Sequence, residues 1–256
     1  MQLRGIRTLA NKALSLDDKL LDARLALAWT KALLDHDWSG ADKEYRHAIK
    51  LNPSSEDYLH NYATYLTIAG RTNEAVQQVE KALRLPSHSV TYLQNAEFVF
   101  LAAHQYDRAI KKIEEWIELE PSQQSDLLGL TTAYREKGDY MKAIQKEEEA
   151  ALLQGGERDL VKTKYDALRS AYNLGGARGY WQQLLDCSRN NENDPVGLAA
   201  LYARVGDKDR AFHYLNLALE KTPTDLAFQI NINPGFDSLR SDRRFAEVLK
   251  RLGLGK

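Results

Sequence analysis

The feature that most constrains this chain is a unit written twice at a fixed spacing. In 56–121, Leu59, Tyr62, Ala63, Leu66, Gly70, Ala75, Val79, Ala82 and Leu85 set out a pattern. Thirty-four residues on, the same slots hold Leu93, Ala96, Glu97, Phe100, His104, Ala109, Ile113, Trp116 and Leu119. The match is of residue class, with small residues recurring where two helices must touch. A period near 34 is that of stacked helix–turn–helix units, each able to bury its apolar face only against its neighbours.

From Asp22 the register is regular. Early in each first helix stand Leu25, Leu59, Leu93 and Leu127. The second helices open near Ala41, Ala75, Ala109 and Ala143 and end near Leu51, Leu85, Leu119 and Leu153. His36, Gly70, His104 and Gly138 fill the turn slots, and Pro53, Pro86 and Pro121 close their units. A glycine accepts the positive φ that a helix C-terminus asks for, and a proline just past the end stops continuation. Unit positions 4, 7, 8 and 11 share one face of the first helix, and positions 20, 24 and 27 face them from the second. The spacing predicts units at 22–55, 56–89, 90–123, 124–157 and 192–225. It predicts a degenerate unit at 158–191, whose helices are parted by Gly175 and Gly176, and a cap at 226–256. In the cap, Ser241 or Asp242 is expected to start a short helix with the apolar stripe Phe245, Val248, Leu249 and Leu252. Residues 1–21, with Ala10, Ala13, Leu14 and Leu16 at helical spacing, read as a second helix without its first. That reading expects a chain cut from a longer protein; a helix that simply caps the array is the alternative.

These residues resemble the tetratricopeptide repeat, most fully in Val90–Gln123, with YDRAI at Tyr106–Ile110 and ELEP at Glu118–Pro121. The resemblance covers 22 to about 154 and resumes at 192–225, where Leu198, Ala199, Tyr202, Gly206, Ala211, Leu215, Ala218 and Pro223 hold the slots. Glu97, Trp116 and Glu147 depart from it, and neighbouring units are expected to splay there. The resemblance implies an all-α, right-handed α-solenoid of about six antiparallel helix pairs, preceded by a lone helix and closed by a capping helix. The tail, with GGARGYW and GDKDRAF, resembles the ends of such arrays in multidomain bacterial regulators. There the array follows a winged-helix or serine/threonine-kinase domain.

Composition removes several classes of function. With 35 basic and 36 acidic residues the net charge is −1, so no basic excess serves nucleic acid. No apolar run suits a bilayer, and no membrane insertion is expected. A cytoplasmic place is expected, or an extracytoplasmic one if a membrane segment lies upstream. The single Cys187 excludes an internal disulfide framework. His36, His47, His60, His88, His104 and His213 are dispersed through the repeats. With no phosphate-binding glycine loop, H-E-x-x-H or G-x-S-x-G motif, the chain is read as non-catalytic, without cofactor or metal.

Function is therefore expected on the inner wall. In the family, first helices line a concave groove through unit positions 2, 5, 6, 9, 12 and 13. Reading those slots here gives Asp57, His60, Asn61, Thr64, Thr91, Gln94, Asn95, Phe98, Thr132 and Arg135. Asn61 and Asn95, one period apart, could pair with the main chain of an extended peptide, or with neighbouring helices. Phe98 offers an apolar anchor. The slots that hold a lysine/arginine clamp for a terminal carboxylate in chaperone-binding relatives are His60, Thr64, Thr91 and Asn95, so an acidic C-terminal motif is disfavoured. The partner class is a protein or peptide. Self-association into a homo-oligomer, or domain spacing, is the alternative.

Overall fold

A computed structural model describes residues 2–85, 89–119, 125–189 and 193–255. His88, Pro86 and Pro121 lie outside the described residues. Among those described, every regular element is helical. The pairs are α2 (Leu21–Leu34) with α3 (Trp38–Leu51), α4 (Glu56–Ile68) with α5 (Thr72–Ala82), α6 (Val90–Ala102) with α7 (Tyr106–Leu119), and α8 (Ser125–Lys137) with α9 (Tyr140–Leu153). Before them stands α1 (Gln2–Leu16). After them come α10 (Arg158–Ser188), the pair α11 (Pro195–Arg204) and α12 (Lys208–Lys221), α13 (Pro223–Gln229), the 3₁₀ turn η1 (Pro234–Leu239) and α14 (Arg243–Arg251).

The small-residue slots do what close packing requires. Ala41, Ala75, Ala109 and Ala143 are wholly buried, which lets paired backbones approach. The turn slots are uniform in geometry: His36, Gly70, His104 and Gly138 have φ of 53°, 77°, 58° and 93°. Aspartates Asp37, Asp139 and Asp207 cap α3, α9 and α12 by accepting from Gly40, Lys142 and Arg210 N–H. By contrast Leu51, Leu119 and Leu153, which mark the same period, are exposed.

The departures from the pattern have local answers. Glu97 finds room because Gly129 on α8 has no side chain; a Cβ there would strike the Glu97 carboxylate. Trp116 is buried in the slot usually held by alanine. Glu147 accepts from Tyr165 Oη at 3.3 Å and faces Lys164 Nζ at 3.5 Å. In α10 the helical path breaks at Gly176 (φ 60°, ψ −148°), and the two halves fold back on each other. The fold-back is tight: a Cβ on Gly179 would collide with the Ala171 carbonyl oxygen. Tyr140, Tyr165, Tyr172, Tyr180 and Trp181 fill the space between α9 and the halves of α10.

Asp242 starts α14 by accepting from Arg244 N–H at 3.0 Å, and Phe245, Val248 and Leu252 are buried beneath it. The C-terminal stretch does more than cover the last pair, because it also returns to the beginning of the array. Phe228 stacks on Trp29 (centroids 6.2 Å, planes 20° apart). Asn231 Nδ2 donates to Ile68 O at 3.0 Å, and Trp38 Nε1 donates to Leu252 O at 3.2 Å. His104 Nε2 stands 3.9 Å from Asp237, and Leu254 packs against the apolar cluster of α2–α7. The solenoid is thus closed on itself.

Candidate peptide-binding groove

The inner-wall residues separate into two groups. The first is a hydrogen-bonded row across α2, α4 and α6. Trp29 Nε1 donates to Asn61 Oδ1 at 3.2 Å, while Asn61 Nδ2 donates to Asp57 O at 2.7 Å. Asn95, 7% exposed, donates to Thr64 Oγ1 at 2.6 Å, and Thr64 in turn donates to His60 O at 3.2 Å. Tyr92 Oη donates to Asp57 Oδ1 at 3.0 Å and packs edge-on against His60 at 5.8 Å. The two asparagines therefore spend amide bonds on neighbouring helices. That is the second of the two uses open to them in the sequence.

His60 carries the main electrostatic feature of this row. Burial pushes its imidazole below the ordinary value of 6.5, against the opposing pull of the Asp57 carboxylate, and its Nδ1 is buried without a partner. Such a ring is held neutral. Thr91 is exposed and Gln94 half-buried on the same face of α6.

The second group is Phe98, Thr132 and Arg135, which one cavity of about 280 Å³ brings together. Its remaining wall comes from Leu101, Ala102, Tyr106 and Glu136, and from Gln229, Ile232, Asn233 and Pro234 of the returning C-terminal segment. A second cavity of about 320 Å³ meets it at Arg135, Glu136 and Asn233, lined also by Trp181, Leu184 and Arg204. Glu136 is paired with Arg204, and both Arg135 and Arg204 lie over the Trp181 ring, at 5.6 and 4.5 Å. Burial first, then the charges of Glu136 and Asp237, push the Tyr106 phenol up to about 12, so it stays a donor at neutral pH.

Several of these contributors escaped the groove-slot reading. Trp29 had a visible signal: it occupies the slot where α4 carries Ala63, so so large a ring needs something to lie on. Ile232, Asn233 and Pro234 had none, because they belong to the wall only once the array has closed. Among the described residues no group of three or more His, Cys, Asp and Glu is placed to hold a metal ion. No described helix is long and apolar enough to cross a membrane.

No family model matches the chain, and no curated protein sequence matches it. Solved structures do. PilF of Pseudomonas aeruginosa superposes with a TM-score of 0.52 at 22% identity, over 89% of this chain and 88% of that one. A tetratricopeptide repeat protein from Parabacteroides merdae gives 0.50 at 16% identity, over 91% of each. A chain of the APC/C hetero-tetramer Cut9–Hcn1 gives 0.52 at 15% identity, over 98% of this chain and 46% of that one. At such identities the likeness is one of fold, and the fold is that of the tetratricopeptide-type helical solenoid.

Proposed function

We propose that the chain is a non-catalytic scaffold that binds a protein or peptide on the inner face of its first helices. The observation that carries this reading is the wall of α4 and α6. Its polar groups are ordered by bonds to one another, while the exposed Thr91 and the half-buried Gln94 stay open to a partner. An ordered wall lowers the entropy cost of binding an extended segment. A chain of similar fold in the Cut9–Hcn1 hetero-tetramer takes part in a protein assembly, which favours a protein as the class of partner. We place the chain as the interaction or sensing part of a larger bacterial regulatory protein, on the strength of its tail, and in the cytoplasm.

The test is selection of displayed peptides on the intact protein, followed by affinity measurement on a Thr91→Arg, Gln94→Arg double variant. Both positions lie outside the Trp29–Asn61 and Thr64–Asn95 bonds, so helicity should be unchanged and affinity should fall about tenfold or more, about 1.4 kcal/mol. Peptides that bind both proteins equally would place the interface elsewhere. A second reading, self-association, is favoured by α1, whose Leu9 and Leu16 are 69% and 81% exposed. Sedimentation over a concentration series separates the two: a strictly monomeric species removes self-assembly.

A further inference from the structure

We propose that the cavity between α6, α8 and 229–234 binds a small apolar carboxylic acid, with Arg135 as its anchor. The proposal goes beyond peptide capture on the groove and does not depend on it. Leu101, Phe98, Tyr106, Ile232 and Pro234 give the cavity an apolar wall, and Arg135 supplies charge at one side. A volume of about 280 Å³ sits at the small end of ligand sites, which start at about 300 Å³. It suits one side chain with its carboxylate better than an extended peptide.

Arg135 is the group that favours an anion. Its Nε is buried and has no hydrogen-bond acceptor. The adjacent Glu136 is committed to Arg204, and its nearer oxygen stays 3.8 Å from Arg135 Nε, beyond hydrogen-bonding reach. Two guanidiniums thus face one carboxylate, and the Tyr180 phenol beside Arg135 brings no charge of its own. Asp237, whose charge reaches Tyr106, is held by Arg240 at 2.8 Å. Trp181 beneath Arg135 and Arg204 limits their movement. A carboxylate matches the planar guanidinium fork, and the Arg135 side chain keeps 24% of its surface exposed to receive one. The Tyr106 hydroxyl provides a second, neutral donor on the same cavity. Because 229–234 forms the far wall, an occupant would also tie the returning segment to α6 and α8, and so raise the thermal midpoint.

The chemistry could come from a free metabolite-sized acid or from the terminal residue of a peptide. Calorimetry on the full chain with hexanoate, phenylbutyrate and N-acetyl-alanyl-phenylalanine, each beside its primary amide, tests it. The acids should bind saturably, and the amides about tenfold more weakly or less. Binding of the free acids assigns a small molecule; binding of the peptide acid alone assigns a protein C-terminus. Arg135→Gln should erase the preference for acid over amide. Thr132→Leu, which narrows the cavity without touching the charges, should block both and serves where Arg135→Gln does not fold. Absence of saturable binding by any of the acids, equal affinity for acids and amides, or binding untouched by Thr132→Leu overturns the proposal.

Discussion

At the scale of single residues, the positions that matter most are those whose environment disagrees with their chemistry. His60 is an imidazole held neutral by burial. Its folded-state pKa lies below the unfolded value, so it contributes stability in full above about pH 6.5. That contribution is lost as pH falls through the folded value, because the unfolded chain then binds the extra proton. The thermal midpoint should fall between neutral pH and pH 5, and less steeply in His60→Gln; parallel slopes would assign the loss to other groups. His36 and His104 are the converse case, side chains in a left-handed turn where α4 and α8 end in glycine. His36→Gly should raise stability by about 1 kcal/mol, read as a shift of the urea midpoint at constant slope. The turn slot was legible in the sequence as a position. Its backbone geometry at histidine was visible only by analogy with the glycines.

At the scale of elements, spacing carried more information than identity. The alanines at each second-helix start announced close pairing, and each is buried. The leucines at each second-helix end repeat just as faithfully, yet three of them face solvent. Periodicity alone cannot tell a packing residue from a recurrent surface one, since both obey the same register. The irregular unit was readable through its glycines. Gly176 supplies the turn, and Gly179 lets the second half of α10 cross against Ala171. Gly179→Ala should therefore cost about 1–3 kcal/mol by overpacking, against a gain of about 1 kcal/mol in helix propensity, and so lower the denaturation midpoint. An unchanged midpoint would show that the fold-back opens freely. The slot positions picked out residues of α4 and α6 that lie beside one another, but the bonds among them could not be read from spacing. Whether Asn61 meets a partner or Trp29 depends on a side chain one unit away.

At the scale of the whole molecule, the return of the C-terminal segment is what no local reading could supply. Closure depends on the small rotation between successive units, summed along the array, and no single unit encodes that sum. The seam it forms is narrow enough to test. A Cβ on Gly253, where φ is 70°, would press on His36, beside Trp38. Gly253→Val should detach the last residues, with faster amide exchange in 249–254 and around Trp38 while α6 and α7 remain protected. Protection unchanged at Trp38 would mean that Phe228 and Asn231 hold the seam alone. A line of nearest-neighbour couplings frays from its ends, because a terminal unit has one neighbour to lose. Here the last residues grip the first regular pair, so the couplings run around a hoop, and breaking one leaves the others braced from both directions. Denaturant should accordingly melt α2–α14 in a single sharp step, with α1 the one piece free to peel away early.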